Sequence, residues 1–267
     1  MGKTALFKQD VFESLNTSAS RFSFLDIVKK VSSEYGISLK EAKRIIHDMT
    51  NDGSLEYINE LGHIFVVPSF NRAVRLAGRV VVHPPDIVYH PQNAYDIAVK
   101  LSRNTSFGRG DHPTTRLSLK AMEKGFDIQE LEGRECLDMG CGNGILAIAS
   151  VLMGMGYACG VDIDPLAVYD ARSNVSINGL DDRIKVSESR PESGCFHLIC
   201  ANLRPPTLAR YKTDFASMLS SGGALVLSGF KEEEASAVSE HYASCFSVRQ
   251  SFHENGWSAL LLTPHSI

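Results

Sequence analysis

The 267-residue sequence predicts an α/β protein: a doubly wound, mostly parallel sheet of seven strands, preceded by a small α+β domain. Three observations predict it. From about Pro113 onward helical and extended patterns alternate, which implies parallel strands joined by right-handed crossovers and a three-layer sheet. Within that region "LDMGCGNGILAIA", residues 137–149, places three glycines between a strand-like and a helix-like apolar run, the pattern of a ligand-binding turn. Before it, residues 1–68 read as helices first and paired strands after.

In chain order, "LFKQDVFESL" and "FSFLDIVKKVSSEYG" space apolar residues three or four apart, as one buried helix face requires. "ISLKEAKRIIHDMTNDG" predicts a third helix, with Ser38 as N-cap, Glu41 completing a capping box and Gly53 as the stop. "SLEYINELGHIFVVP" gives two strand-like runs about a turn at Glu60-Leu61-Gly62, a hairpin. Three helices and a hairpin over residues 1–68 resemble a winged helix. Residues 69–106 form a β-rich connecting segment. "GRVVVHPPDIVYHPQ" is β-branched but broken by prolines, and "YDIAVKLS" alternates apolar and polar positions.

Residues 107–267 make the main domain. Its expected elements are helix "PTTRLSLKAMEKG", strand "ECLDM", helix "ILAIASVLMG", strand "YACGVDI", helix "PLAVYDARSNVSING", and strands "RIKVS" and "FHLICAN". Helix "PTLARYKTDFASML", strand "GALVLSG" and helix "KEEEASAVSEHYASC" follow, then two strands near "SVRQSFHEN" and "WSALLLT". The short turn between the last two makes one of them antiparallel.

Composition bounds function only loosely. No apolar run approaches the roughly 20 residues of a membrane span, so no membrane is expected as partner. A net charge of −4 supplies no global field for gathering nucleic acid. The six cysteines form no C-x-x-C pair and mostly sit among apolar neighbours, as reduced core residues do. "MGKTALFKQD" has neither the apolar h-region of a signal peptide nor a Ser or Thr where a myristoylation signal needs one, so a cytoplasmic address is expected.

In a doubly wound sheet the ligand sits at the C-terminal ends of the strands, and residues 138–144 occupy that place. Dinucleotide turns space glycines as G-x-G-x-x-G. Here Gly140, Gly142 and Gly144 run G-x-G-x-G, with Ile145 where the last glycine belongs. The spacing disfavours a pyrophosphate. Asp162 ends the second strand, where a carboxylate accepts from ribose hydroxyls, while Asp164 before Pro165 reads as a helix N-cap.

A longer signature narrows the reading. "SFGRGDHPTTRLSL" (106–119), followed in order by "LDMGCGNGILAIA", "VDIDPLAV", "ANL" and "LSG", resembles the ribosomal-protein methyltransferase family. These are class I S-adenosylmethionine-dependent enzymes whose bacterial members methylate a protein of the large-subunit stalk. The resemblance covers about residues 96–263 and implies the methyltransferase sheet, with S-adenosylmethionine as cofactor and a divergent N-terminal domain. It assigns Thr115, Gly140, Asp162 and Asn202 to the cofactor, with Phe107 and Gly108 in the loop expected to close over it; Asp138, Gly142 and Gly144 join them because a G-x-G-x-G loop preceded by an acidic residue resembles the S-adenosylmethionine site of the common α/β methyltransferases. Asn202 and His112 are the candidate catalytic residues, His112 also being placed to brace its loop beside Pro113. No metal is expected. Arg109, Asp111 and the "RPP" run after Leu203 depart from the family's small and apolar residues, at the place where the acceptor enters.

Methyl transfer is an in-line displacement, so the site must align the acceptor's lone pair and exclude water. Asp170, Asp181 and the "KEEE" run read as solvated positions. A protein amino group is the favoured acceptor. A small metabolite or RNA acceptor, or a winged-helix regulator that senses S-adenosylmethionine, are the alternatives. Lys40, Lys43, Arg44 and His47 share one side of the third helix, interrupted by Glu41 and Asp48, so protein docking or homo-oligomerisation through this domain is favoured over DNA binding.

Overall fold

The computed structural model describes residues 3–16, 22–60, 62–69, 71–103, 110–125, 132–191 and 194–265. They divide into two compact units, Met1–Arg72 and Ala73–Ile267.

In the first unit, helices α1 (Lys3–Asn16), α2 (Phe24–Tyr35) and α3 (Leu39–Asn51) precede a hairpin of β1 (Leu55–Glu60) and β2 (His63–Pro68). Local chemistry sets the helix ends. Ser23 and Ser38 accept the backbone N–H groups of Asp26 and Glu41, and Gly36 closes α2 at φ +62°. Ile27, Val31, Ala42, Ile46 and Met49 form the buried faces of α2 and α3. Lys40, Lys43, Arg44 and His47 are all exposed.

The second unit opens with a three-stranded sheet of β3 (Val74–Arg75), β4 (Val80–His83) and β5 (Ile97–Lys100). Asp96 holds the connection before β5. Its buried carboxylate accepts from Arg75 and Tyr89 and from the backbone N–H groups of Gln92 and Asn93. The Arg75 guanidinium and the Tyr89 hydroxyl hold the Asp96 carboxyl well below the usual range.

The large sheet alternates β6 (Glu135–Met139), β7 (Tyr157–Val161), β8 (Ile184–Ser187), β9 (Phe196–Asn202), β10 (Leu219–Lys231), β11 (Phe246–Glu254) and β12 (Trp257–Pro264) with helices. These are α4 (Pro113–Gly125), α5 (Ile145–Leu152), α6 (Pro165–Ile177), α7 (Pro205–Met218) and α8 (Ala235–Tyr242). Spatial order is β11-β12-β10-β9-β6-β7-β8, with β12 antiparallel to both neighbours. The strand alternation sorts the core. Leu137, Ile199, Leu225 and Leu227 face Phe215 of α7 and Tyr242 of α8, whereas Ala224 and Leu261 face α4 and Asp138 faces α5. Each fully buried leucine contributes about 2 to 3 kcal/mol by transfer from water.

Three sequence expectations change. Asp170 is buried on the inner face of α6 beside Ala167, Ala171 and Asn174, because its helical spacing from them turns it to the sheet. Cys195 is exposed, unlike the buried Cys136, Cys141 and Cys200. β10 starts at Leu219, before Gly222-Gly223, since its pairing with β9 resumes after an irregularity between Leu219 and Ala224. No helix among the described residues is long and apolar enough to cross a membrane.

Candidate active site

The site is built where β6, β7 and β9 end. Leaving Met139, the chain turns through Gly140, Gly142 and Gly144 at φ +76°, +53° and +82°, conformations in which an L side chain is strained. The turn's donors are taken up by the protein itself, mostly by the end of β7. Gly140 and Cys141 both donate to Val161 O, at 2.7 and 2.9 Å, and Gly142 donates to Asp162 Oδ2 at 2.9 Å. Gly144 donates to Cys141 O, and Ile145 to Asn143 Oδ1. A pyrophosphate requires such N–H groups to point outward. This turn instead suits a ligand without phosphate.

Gly140 has a second steric duty. A Cβ there would collide with the Leu203 side chain, and one on Gly229 would meet Leu203 O at 2.5 Å. The residue after Asn202 is therefore held between two glycines, which fixes where β9 delivers its asparagine.

Asp162 directly follows β7 and is half-buried, its Oδ1 also accepting from Asp164 N–H at 3.1 Å. Among the described residues each carboxylate oxygen accepts one hydrogen bond and keeps a free lone pair, the acceptor capacity that two ribose hydroxyls use. Asp164 caps α6 by accepting Leu166 N–H, as its place before Pro165 predicts.

A cavity of about 280 Å³ opens beside the turn. Its lining brings together His112, Thr115, Gly140, Gly142 and Asn202 of the predicted residues. Among the described residues the Asn202 amide has no hydrogen-bond partner, so both of its ends are available. Gly110, Asp111, Thr114, Cys141, Asn143, Ile145 and Leu146 complete the lining. Cys141 and Asn143 were not singled out in the sequence, although both sit between the motif glycines. Their neighbours come from far along the chain, as when Asn174 donates to Asn143 O.

His112 does the work of an N-cap. Its Nδ1 accepts Thr114 N–H at 3.3 Å and lies 2.8 Å from Thr114 Oγ1, while its carbonyl accepts from Thr115 and Arg116. The ring edge rests on Trp257, 4.8 Å between centroids, and the Lys231 ammonium lies 3.7 Å from the Trp257 ring centre. Behind this wall the buried Arg116 donates to Glu254 at 2.5 Å and to Asp111 O, and Lys120 reaches the other Glu254 oxygen at 2.5 Å.

Three predicted residues lie outside the lining. Gly144 packs its backbone against Ala171, where a Cβ would stand 3.2 Å from the alanine methyl. Asp162 borders the turn from β7. Asp138 lies behind the turn and is fully buried, because strand alternation aims it at α5, where its Oδ2 accepts Ala147 N–H at 3.1 Å. Burial pushes its carboxyl up to about 7, a rise the nearby Asp162 charge adds to and the Ala147 bond opposes. Burial also raises the Cys141 thiol far above its ordinary value, which leaves it without nucleophilic thiolate at neutral pH. Phe107, Gly108 and Arg109 lie outside the described residues. No group of three metal-ligating side chains occurs among the described residues.

The family described as ribosomal protein L11 methyltransferase (PrmA) matches residues 58–264. A ribosomal protein L11 methyltransferase of Neisseria meningitidis serogroup B is 32% identical over 229 residues, 82% of this chain and 75% of the relative. One from Geobacter metallireducens is 34% identical over 188 residues, 70% of this chain and 61% of the relative. Others are spanned over about half their length, as with the 54% of the Neisseria gonorrhoeae protein. In fold, the chain is similar to a ribosomal protein L11 methylase of Lactobacillus delbrueckii subsp. bulgaricus, with a TM-score of 0.65 and 22% identity over 73% of this chain and all of that one. The chain belongs to the ribosomal protein L11 methyltransferase family and is an S-adenosylmethionine-dependent methyltransferase.

Proposed function

We propose that this chain methylates amino groups of a ribosomal protein, the L11 protein that its relatives are named for, in the cytoplasm. The observation that carries the reading is the convergence of Asn202, Thr115, His112 and the internally bonded glycine turn on one cavity, in a chain of this family. S-adenosylmethionine, when bound, supplies an electrophilic methyl on a sulfonium centre.

The protein's own residues do the rest. Asp162 accepts from the ribose hydroxyls, and the Gly140 and Gly142 backbone passes close to the ligand's amino-acid end. Asn202 Oδ1 accepts an N–H of the incoming amine, which turns the amine's lone pair toward the cavity. Desolvation on entering the cavity disfavours the ammonium form, so the amine gives its proton to solvent before transfer. His112 and Thr114 keep the start of α4, and with it Thr115, fixed against the turn.

The test is transfer of labelled methyl from S-adenosylmethionine to purified ribosomal protein L11, with the products sized by mass spectrometry. Wild-type protein adds whole methyl increments, and Asn202→Ala lowers kcat by about 10²-fold. Cofactor binding without methylation of the ribosomal protein would overturn the substrate. The family gives no support to a metabolite or RNA acceptor, or to a regulator without turnover.

A further inference from the structure

A second cleft, of about 410 Å³, lies between the first turns of α7 and the length of α8. It belongs to the same end of the sheet as the cofactor cavity, since α7 follows the end of β9 and α8 the end of β10. Pro205, its nearest lining residue along the chain, is three residues past Asn202, a backbone reach of at most about 10 Å.

The cleft has a floor and a charged rim. Leu208, Val238 and Tyr242 make the floor, all buried, and the Tyr242 hydroxyl donates to Leu208 O at 2.7 Å, which leaves that surface apolar. Glu233 and Glu234 make the rim, and among the described residues no lysine or arginine lines it. Glu234 accepts Lys231 N–H in a capping bond, but Glu233 has no partner among the described residues. Capping accounts for one carboxylate and not for the other. His241 meets Ala209 O at 3.1 Å and closes the far wall.

From this juxtaposition we infer that the α7–α8 cleft docks a basic segment of the protein substrate, an apolar side chain on the floor and a lysine or arginine at Glu233. The inference rests on the protein-substrate reading above. Charge complementarity selects the occupant: an acidic rim over an apolar floor discriminates against acidic segments and free phosphates.

The experiment uses the full chain and two variants at exposed positions, Glu233→Lys and Ala237→Trp, the second filling the cleft without altering its charge. Fluorescence anisotropy measures binding of a labelled peptide with one leucine between two lysines, and of matched peptides with glutamates for the lysines or alanine for the leucine. Support is lysine-peptide binding that weakens about tenfold in both variants, with a KM for the ribosomal protein raised about tenfold at unchanged kcat and cofactor affinity. Equal binding by wild type and variants, or equal binding of the glutamate peptide, overturns the cleft whether or not methyl transfer occurs. If wild type binds the lysine peptide in the cleft but methylates no ribosomal protein, the substrate reading falls and the docking site stands.

Discussion

Asp138 shows how one residue can belong to a motif and yet stand outside the cavity beside it. The acidic residue before a glycine turn was expected at the cofactor, and the strand period of two, which sends Cys136 and Asp138 to one face, instead buries it against α5. Its raised carboxyl carries a pH signature. Between about pH 4 and the value of about 7, the folded protein holds a proton that the unfolded chain has released, so stability is full below about pH 4 and falls as pH rises through 7. Asp138→Asn keeps an acceptor for Ala147 and removes this titration. Urea titrations across that window will show a flatter slope in the variant, and an unchanged slope would mean that the carboxyl ionises normally. Asp96 acts with the opposite sign, its depressed carboxyl stabilising the fold above about pH 4 and ceasing to do so as acid protonates it. His112, Thr115, Gly140, Gly142 and Asn202 were legible from sequence because their motifs fix residue type and spacing. Asn143 and Cys141 were not, because their contacts depend on pairings across the fold.

Among the elements, those with strong periodicity fell where the pattern put them, α4 at Pro113–Gly125 above all. The early start of β10 was hidden by Gly222-Gly223, which reads as a turn. Equally hidden was the role of the β11–β12 hairpin, because the bond from Arg116 to Glu254 spans 138 residues. That bond fastens the hairpin end to α4, and α4 carries Thr115. Removing one member of a buried ion pair strands the other charge, at a cost of about 3 kcal/mol. Glu254→Ala is expected to lose stability by that amount in chemical denaturation and to weaken S-adenosylmethionine in titration. A loss below about 1 kcal/mol would show that the Asp111 carbonyl and water suffice for Arg116.

The whole molecule has two units, divided after Arg72. Cofactor binding couples to global stability, because a ligand that binds only the folded state adds about 2.7 kcal/mol at a hundred times its Kd. Wild-type protein should show that gain with S-adenosylmethionine in denaturant melts, and Asp162→Ala should lose most of it at equal ligand. Retention of the full gain would remove Asp162 from the ribose. The placement of β12 reaches beyond equilibrium. It is the last strand in the sequence of the sheet, yet it lies between β10 and β11, pairing with both. A growing polypeptide on the ribosome therefore exposes the edge of β10, with Leu225, Val226 and Leu227 beside it, until Trp257–Pro264 has emerged. The sheet cannot be completed from its N-terminal side during synthesis, and ribosome stalling inside β11 would leave a nascent chain with an open, aggregation-prone edge.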